Sequence, residues 1–355
     1  MAFKAVQIIE PLVDLNQPLR INHIETPKLN GNQVLVKVKS AGVCHSDLHI
    51  WEGGYDTGNG FMKLSERGIK YPIIPGHETA GIVEDIGESV QGVNIGDVVL
   101  VYPWIGCENC PTCFKGDTHL CESPQSLGIF QSGGYAENLL VPHYKFLAKI
   151  GDLDTDVAAP LACAGLTAFT AIKKALTNNP ENILIVGSGG LGLMGIQIAK
   201  SLTKSNIICT DIDDKKLDLA QELGATHIIN TNEPDAAQKI MSICNGKGVD
   251  SIIDFVNSSS TVEMSLSIIR KRGNIVLVGM FGGAITLPLV SVPQKSITIQ
   301  GAYTGNYDDM VKLIKLSQKG IIKSIVSKHY TLDNANIALK DLQNKKIIGR
   351  AILNP

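Results

Sequence analysis

The most constraining feature of the sequence is a short apolar run, Asn182 to Val186, that passes directly into Gly187-Ser188-Gly189-Gly190-Leu191-Gly192 and then into the helical pattern Leu193 to Ser201. A strand, a tight turn and a helix in that order open a βαβ crossover, which commits the surrounding chain to a parallel sheet. Within this G-x-G-x-x-G segment, Gly187 permits the turn, Gly189 lets the backbone approach a pyrophosphate and Gly192 allows close helix packing. Gly190 and Leu191 carry the loop into the helix, whose N-terminus offers free N–H groups and partial positive charge to an anion. Asp211 follows at the end of the next apolar run, about 20 residues on, where a carboxylate can bind ribose hydroxyls. Its charge would repel a 2′-phosphate, so the expected dinucleotide is NAD rather than NADP. The alternative is a glycine-rich turn with no ligand, and the strand, the helix and Asp211 together weigh against it.

The run is one of a series: Asn206 to Thr210, Thr226 to Ile229, Asp250 to Phe255 and Asn274 to Val278, separated by helix-length segments, with Ser296 to Gln300 expected to close the sheet. Before this series, Gln33 to Lys39, Thr79 to Glu84 and Asp97 to Tyr102 are short strands divided by Gly, Pro, Asn and Asp, the pattern of an irregular, mostly antiparallel β domain. The tail holds a helix around Asp308 to Gln318 and a strand at Ala351 to Leu353, and is expected to return to the first domain. The fold class is therefore α/β, with a mostly β domain at 1–155 and 303–355 and a dinucleotide-binding domain at 156–302. A cleft between the two is the expected place for ligands.

Composition narrows the partners. Thirty-two Lys and Arg against 34 Asp and Glu leave a formal charge of -2, without the basic excess that nucleic-acid binding usually shows. The apolar stretches Val157 to Ile172 and Ile183 to Ala199 are short of the ~20 residues that a membrane span needs. Met1 to Leu15 carries Glu10 and Asp14 and lacks the basic start and apolar run of a signal peptide, so a cytoplasmic location is expected.

Four of the eight cysteines, Cys107, Cys110, Cys113 and Cys121, form C-x2-C-x2-C-x7-C. Four thiolates on so short a loop can close tetrahedrally around one Zn²⁺, and a shell with no open position is structural. Two disulfides or an iron–sulfur cluster are the alternatives. Other candidate ligands are scattered: Cys44 in Gly42-Val43-Cys44-His45-Ser46-Asp47, His77 and Glu78 in Gly76-His77-Glu78, and Cys163 in Pro160-Leu161-Ala162-Cys163. Taken singly, each reads more simply as core.

Together these motifs carry a resemblance. With Gly76-His77-Glu78-Thr79-Ala80-Gly81, Gly96-Asp97 and Ile348-Gly349-Arg350, the chain is similar over essentially its full length to zinc-containing alcohol dehydrogenases of the medium-chain dehydrogenase/reductase superfamily, especially compact archaeal and bacterial tetramers. The resemblance implies a GroES-like catalytic domain, a Rossmann NAD-binding domain and two zinc ions per chain. It implies that Cys44, His77 and Cys163 hold a catalytic zinc, with Glu78 as an alternating ligand, and that the four-cysteine loop holds a structural one. Ser46 and His49 become a proton relay, Ser46 taking the alcohol proton and His49 passing it outward, although Ser46 could instead cap a helix starting near Asp47. His45 and Arg350 fall near the cofactor pyrophosphate, and Asp47 orients a neighbouring group. Trp104 falls at a position that lines the substrate pocket, with ordinary core as its equal alternative. Trp51 to Ile69 is the segment that would cover the substrate.

The expected reaction is reversible hydride transfer between a primary or secondary alcohol and NAD, giving an aldehyde or ketone. Polyol or amino-alcohol oxidation is the nearest alternative, and a non-catalytic NAD-binding zinc protein a more distant one. A homo-oligomer is expected, a tetramer rather than a dimer.

Overall fold

A computed structural model describes residues 2–11 and 19–355; Met1 and residues 12–18, Asp14 among them, lie outside the described residues, and with them part of the N-terminal reading. The chain divides into two units, Met1–Tyr55 with Met62–Leu166 and Gly305–Pro355, and Asp56–Phe61 with Thr167–Thr304.

The first unit is built on the strand Val34–Val43, whose apolar residues are almost all buried. It pairs antiparallel with Glu78–Ile86, with Asn138–Val141 and with Arg350–Asn354. Val98–Val101 and Leu147–Lys149 extend the sheet on one side and Val326–Thr331 on the other. Its register decides the chemistry. Gly42 lies opposite Glu78, and Val43 opposite Ala351, so Cys44, Glu78 and Arg350 all emerge at one end of the sheet. Gly42 and Gly349, on either side of this convergence, leave no side chain in the way: a Cβ on Gly42 would strike Glu78, and one on Gly349 would strike Ile325.

The second unit holds a six-stranded sheet in the order His227–Asn230, Asn206–Asp211, Asn182–Val186, Val249–Asp254, Ile269–Leu277, Thr298–Gly301. Every neighbouring pair is parallel. In chain order this is 3-2-1-4-5-6, the doubly wound arrangement that reverses beside its first strand. That first strand, Asn182–Val186, is buried throughout, as a strand covered on both faces must be. Ile269–Leu277 begins earlier than the apolar run implies. Ile269 pairs with Val249 before a register shift, and the basic residues that follow are accommodated by positive φ at Arg272 and an ion pair from Arg270 to buried Asp250.

Among the described residues no single helix is long and apolar enough to cross a membrane; Thr155–Ala162 and Ala164–Asn178 would pass only as a pair bent by 52°. Val157 to Ile172 is mostly buried.

Candidate functional site

The scattered cysteines and His77 come together. Ligand atoms of Cys44, His77, Glu78 and Cys163 all lie within 4.8 Å of one another, and all four residues are buried. Cys44 ends the central strand as the N-cap of the helix His45–Glu52, and Cys163 sits at the turn between the helical segments Ala159–Ala162 and Ala164–Ala175. A hydrogen bond between the two thiols, aided by the nearby Arg350 charge, pushes the Cys44 thiol well below its ordinary pKa. Burial works against protonation of His77, yet the Asp47 carboxylate and Cys44 push its pKa up. Neither His77 ring nitrogen has a hydrogen-bond partner of good geometry, and Glu78 Oε2 has none at all. Buried polar atoms without partners are costly. Two soft thiols, an imidazole nitrogen and a carboxylate in one pocket form a donor set that fits zinc.

Asp47 organises this pocket from behind. Its carboxylate accepts the N–H of Cys44 (2.9 Å), the N–H of Gly76 (3.0 Å) and the Tyr135 hydroxyl (3.1 Å), and Oδ1 lies 3.3 Å from His77 Nδ1. With Nδ1 turned to Asp47, Nε2 is left for the thiols. Such a carboxylate behind a histidine sets its tautomer and orientation. The sequence pointed to Asp47 as an orienting group; Tyr135 it did not single out, because a tyrosine after two glycines has no spacing signal.

Glu78 Oε1 accepts from Arg350 Nη2 (3.0 Å) and from the N–H of Ala164 (3.1 Å). Burial pushes the Glu78 carboxyl up to about 7, against the pull of Arg350. Arg350 itself is 4% exposed, and its Nη2 is 3.8 Å from Cys44 Sγ. The structure therefore places Arg350 against the cluster of Cys44, His77, Glu78 and Cys163, a position that its sequence context did not reveal. Trp104 is also buried beside it: its ring lies 5.5 Å from that of His77 and its Nε1 donates to Ala162 O at 2.8 Å.

Ser46 Oγ is 3.9 Å from Cys44 Sγ. Since Cys44 is the N-cap, Ser46 is inside the helix and does not cap it. His49, one turn on, is partly exposed, with Nδ1 3.4 Å from Glu52 Oε2 and its ring against Tyr55. His45, the first helical residue, is exposed.

The four-cysteine loop forms a second cluster. The sulfur atoms of Cys107, Cys110, Cys113 and Cys121 lie within 4.8 Å of one another, and none is in a disulfide. Cys110 and Cys121 Sγ are 3.9 Å apart, close to the edge of about 3.8 Å for a tetrahedron of Zn–S bonds. Backbone N–H groups already point at the sulfurs: Cys107 and Ser123 donate to Cys121, and Cys113 to Cys110. The Cys113 amide draws the Cys110 thiol down to about 7. Main-chain donors aimed at sulfur stabilise thiolates, the form that binds metal.

In the second unit the helix Gly190–Leu202 starts from Gly189 with no side-chain cap, and the space beside the Gly189 α-carbon is open. Gly192 packs so closely that a Cβ would strike Gly187 O, the close approach that the motif serves. Leu191 is partly buried in the first turn. Asp211 is tied to the same loop: Oδ2 accepts from Ser188 N–H (2.7 Å) and Oγ (2.9 Å), and Oδ1 from the N–H groups of Ile212 and Asp213. Ser188, to which the glycine motif assigns no role, fixes the orientation of that carboxylate. Cys209 and Cys244 are buried thiols outside both clusters.

The alcohol dehydrogenase GroES-like domain family matches residues 30–152, and the zinc-binding dehydrogenase family residues 190–319. An NAD-dependent alcohol dehydrogenase of Sulfurisphaera tokodaii is 39% identical over 97% of this chain and 99% of its own length. The crystal structure of the alcohol dehydrogenase from Aeropyrum pernix superposes with a TM-score of 0.89 at 33% identity, covering 99% of this chain and 100% of that one. The D-arabinose dehydrogenase from Sulfolobus solfataricus superposes at 0.84 with 30% identity, covering 100% of each chain. A GroES-like β domain and a Rossmann domain, matched by family and by fold across the whole length, identify the chain as a member of the zinc-containing alcohol dehydrogenases of the medium-chain dehydrogenase/reductase superfamily.

Proposed function

We propose that this chain is an NAD-dependent alcohol dehydrogenase carrying out reversible hydride transfer between a primary or secondary alcohol and NAD. The observation that carries this reading is the buried convergence of Cys44, His77, Glu78 and Cys163, with the Ser46 hydroxyl beside it. Cys44, His77 and Cys163 would hold a catalytic zinc, with Glu78 as an exchangeable fourth donor, and the four-cysteine loop a structural zinc, two per chain. Bound in the first site, zinc would polarise an alcohol oxygen and lower its pKa toward neutrality. Ser46 accepts the alcohol proton, and His49, at the partly exposed end of the same helix, passes it to solvent. NAD, held at the second unit, would supply the nicotinamide that accepts the hydride. His45 and Arg350 serve its pyrophosphate, Arg350 by exchanging its contact with Glu78. The uncapped helix at Gly190 binds the pyrophosphate through N–H groups, and Asp211 binds the ribose hydroxyls. Trp104 forms a wall behind His77 at the substrate pocket.

The zinc–thiolate chemistry suits a reducing compartment, and we read the protein as cytoplasmic. A homotetramer assembled through the second unit is supported by the edge strand Thr298–Gly301 and the exposed apolar residues Phe281, Leu289 and Val290. A sugar or polyol substrate is the second reading, favoured by the likeness to the D-arabinose dehydrogenase.

Metal-replete enzyme assayed with primary and secondary alcohols, polyols, aldoses and threonine, each with NAD and NADP, tests the assignment. Turnover of simple alcohols with NAD is expected; turnover confined to aldoses or polyols would move it to the second reading. Asp211→Ser should weaken NAD by roughly 10- to 100-fold, the value of charged hydrogen bonds, and relatively favour NADP. A wild type that prefers NADP would overturn the cofactor assignment.

A further inference from the structure

Tyr135 has no part in the chemistry proposed above, yet it is tied to the scattered metal cluster by three independent contacts. It is fully buried at 0% exposure. Its main chain is laced to the segment that delivers His77: Tyr135 N–H donates to Pro75 O (3.0 Å), and the preceding Gly133 and Gly134 donate to Ile74 O and Gly76 O. Its ring lies against Gly76, which has φ +95, and a Cβ on Gly76 would strike the ring and the Tyr135 nitrogen. Its hydroxyl donates to Asp47 Oδ2 at 3.1 Å. A phenylalanine would supply the first two contacts. Only the third needs tyrosine, and burying a phenol without a purpose costs desolvation.

The hydroxyl acts on a carboxylate with two tasks. Asp47 Oδ2 receives Cys44 N–H and the tyrosine hydroxyl, while Oδ1 receives Gly76 N–H and faces His77 Nδ1 at 3.3 Å. The torsion of a carboxylate is broad, so its plane is set by the donors around it. With Oδ2 held from two directions, Oδ1 is presented to Nδ1 and the imidazole keeps Nε2 toward the thiols. We propose that Tyr135 is a positioning residue for the catalytic metal, acting through Asp47 on His77. The proposal rests on the reading of Cys44, His77 and Cys163 as a zinc site.

The test compares holoenzyme carrying Tyr135→Phe, Asp47→Asn or both, reading the rate at which a chelator removes each zinc, with the four-cysteine zinc as internal control. Loss of such a supporting group typically costs 10–100-fold in metal affinity; Tyr135→Phe, one bond further out, should release the catalytic zinc about 10-fold faster and leave the structural zinc unchanged. Because the effect passes through Asp47, adding Tyr135→Phe to Asp47→Asn should change nothing further. Should Asp47→Asn retain no metal, the release rate of the single tyrosine variant decides. Release at the wild-type rate, even with a lower Tm of the metal-free chain, would reduce Tyr135 to packing and overturn the proposal, as would an equal effect in both backgrounds. A wild type that binds only one zinc removes the site reading and the proposal together, whereas two zincs with an unchanged variant remove the proposal alone.

Discussion

The two candidate metal-ligand clusters of the first unit are assembled in opposite ways. The four-cysteine loop draws its donors from a single stretch, Cys107 to Cys121, and its sulfurs are held by amides of that stretch and its immediate flank. The other set draws on Cys44, His77, Glu78 and Cys163, and its supports are equally dispersed: Arg350 on Glu78, Tyr135 on Asp47, Ala164 N–H on Glu78. A local cluster needs only its own turns to form. A dispersed one exists only when the sheet, its register and the helix after Cys44 are all in place. The first arrangement suits a donor set closed on all sides, and the second a pocket with a surplus carboxylate and room to exchange a ligand.

The sharpest way to break the contrast is to remove one donor from each cluster. Cys163→Ala should abolish alcohol oxidation, a loss of at least about 10³-fold given that a metal contributes several kcal/mol to the barrier, while circular dichroism and NAD binding persist. Appreciable activity in that variant would remove the dispersed cluster from the chemistry. Next in size is Ser46→Ala, which leaves both clusters intact. Turnover should fall within the 10²–10⁴-fold range typical of general acid–base steps, with zinc content and NAD affinity kept. Unchanged turnover, measured where a substrate deuterium isotope effect shows hydride transfer to be limiting, would take the relay away from Ser46.

Cys110→Ser should act on stability rather than on the chemical step. One zinc per chain remains, kcat of the surviving enzyme stays within a few-fold, and Tm drops by several degrees, since roughly 1 kcal/mol corresponds to about 2–4 °C in chains of this class. A collapse of kcat at full metal occupancy of the other site would show that the local loop is not energetically separate. The smallest effect is expected at Trp104, which contacts His77 and the residue before Cys163. Trp104→Phe keeps an aromatic ring but loses the bond to Ala162 O, at a cost of about 1 kcal/mol, read as a slightly lower Tm. As a wall of the substrate pocket the ring should also set the preference between small and bulky alcohols, and an unchanged preference in the same variant would reduce Trp104 to packing.

How far each region is legible in the sequence follows from the same contrast. The apolar runs of the parallel sheet are visible because strands covered on both faces leave continuous hydrophobic stretches; Asn182–Val186 occupies the span that the pattern marks. Ile269–Leu277 was legible only in its second half, because its first half is an irregular stretch in which Arg270 reaches buried Asp250 while Lys271 and Arg272 stay exposed. The cysteine loop could be read as one group from its spacing alone, and the fingerprint from its glycines. The sequence by itself thus determined the elements whose chemistry is local: the parallel sheet, the nucleotide turn and the four-thiol loop. Tertiary structure decided what no local pattern encodes. Pairing of Gly42 with Glu78 and of Val43 with Ala351 brings Cys44, Glu78 and Arg350 to one end of a sheet. The hydroxyl of Tyr135 finds Asp47 across 88 positions of chain. Such contacts join residues that are remote in sequence, and their partners are chosen by strand register and by the need to satisfy buried charge, neither of which leaves a periodic trace along the chain.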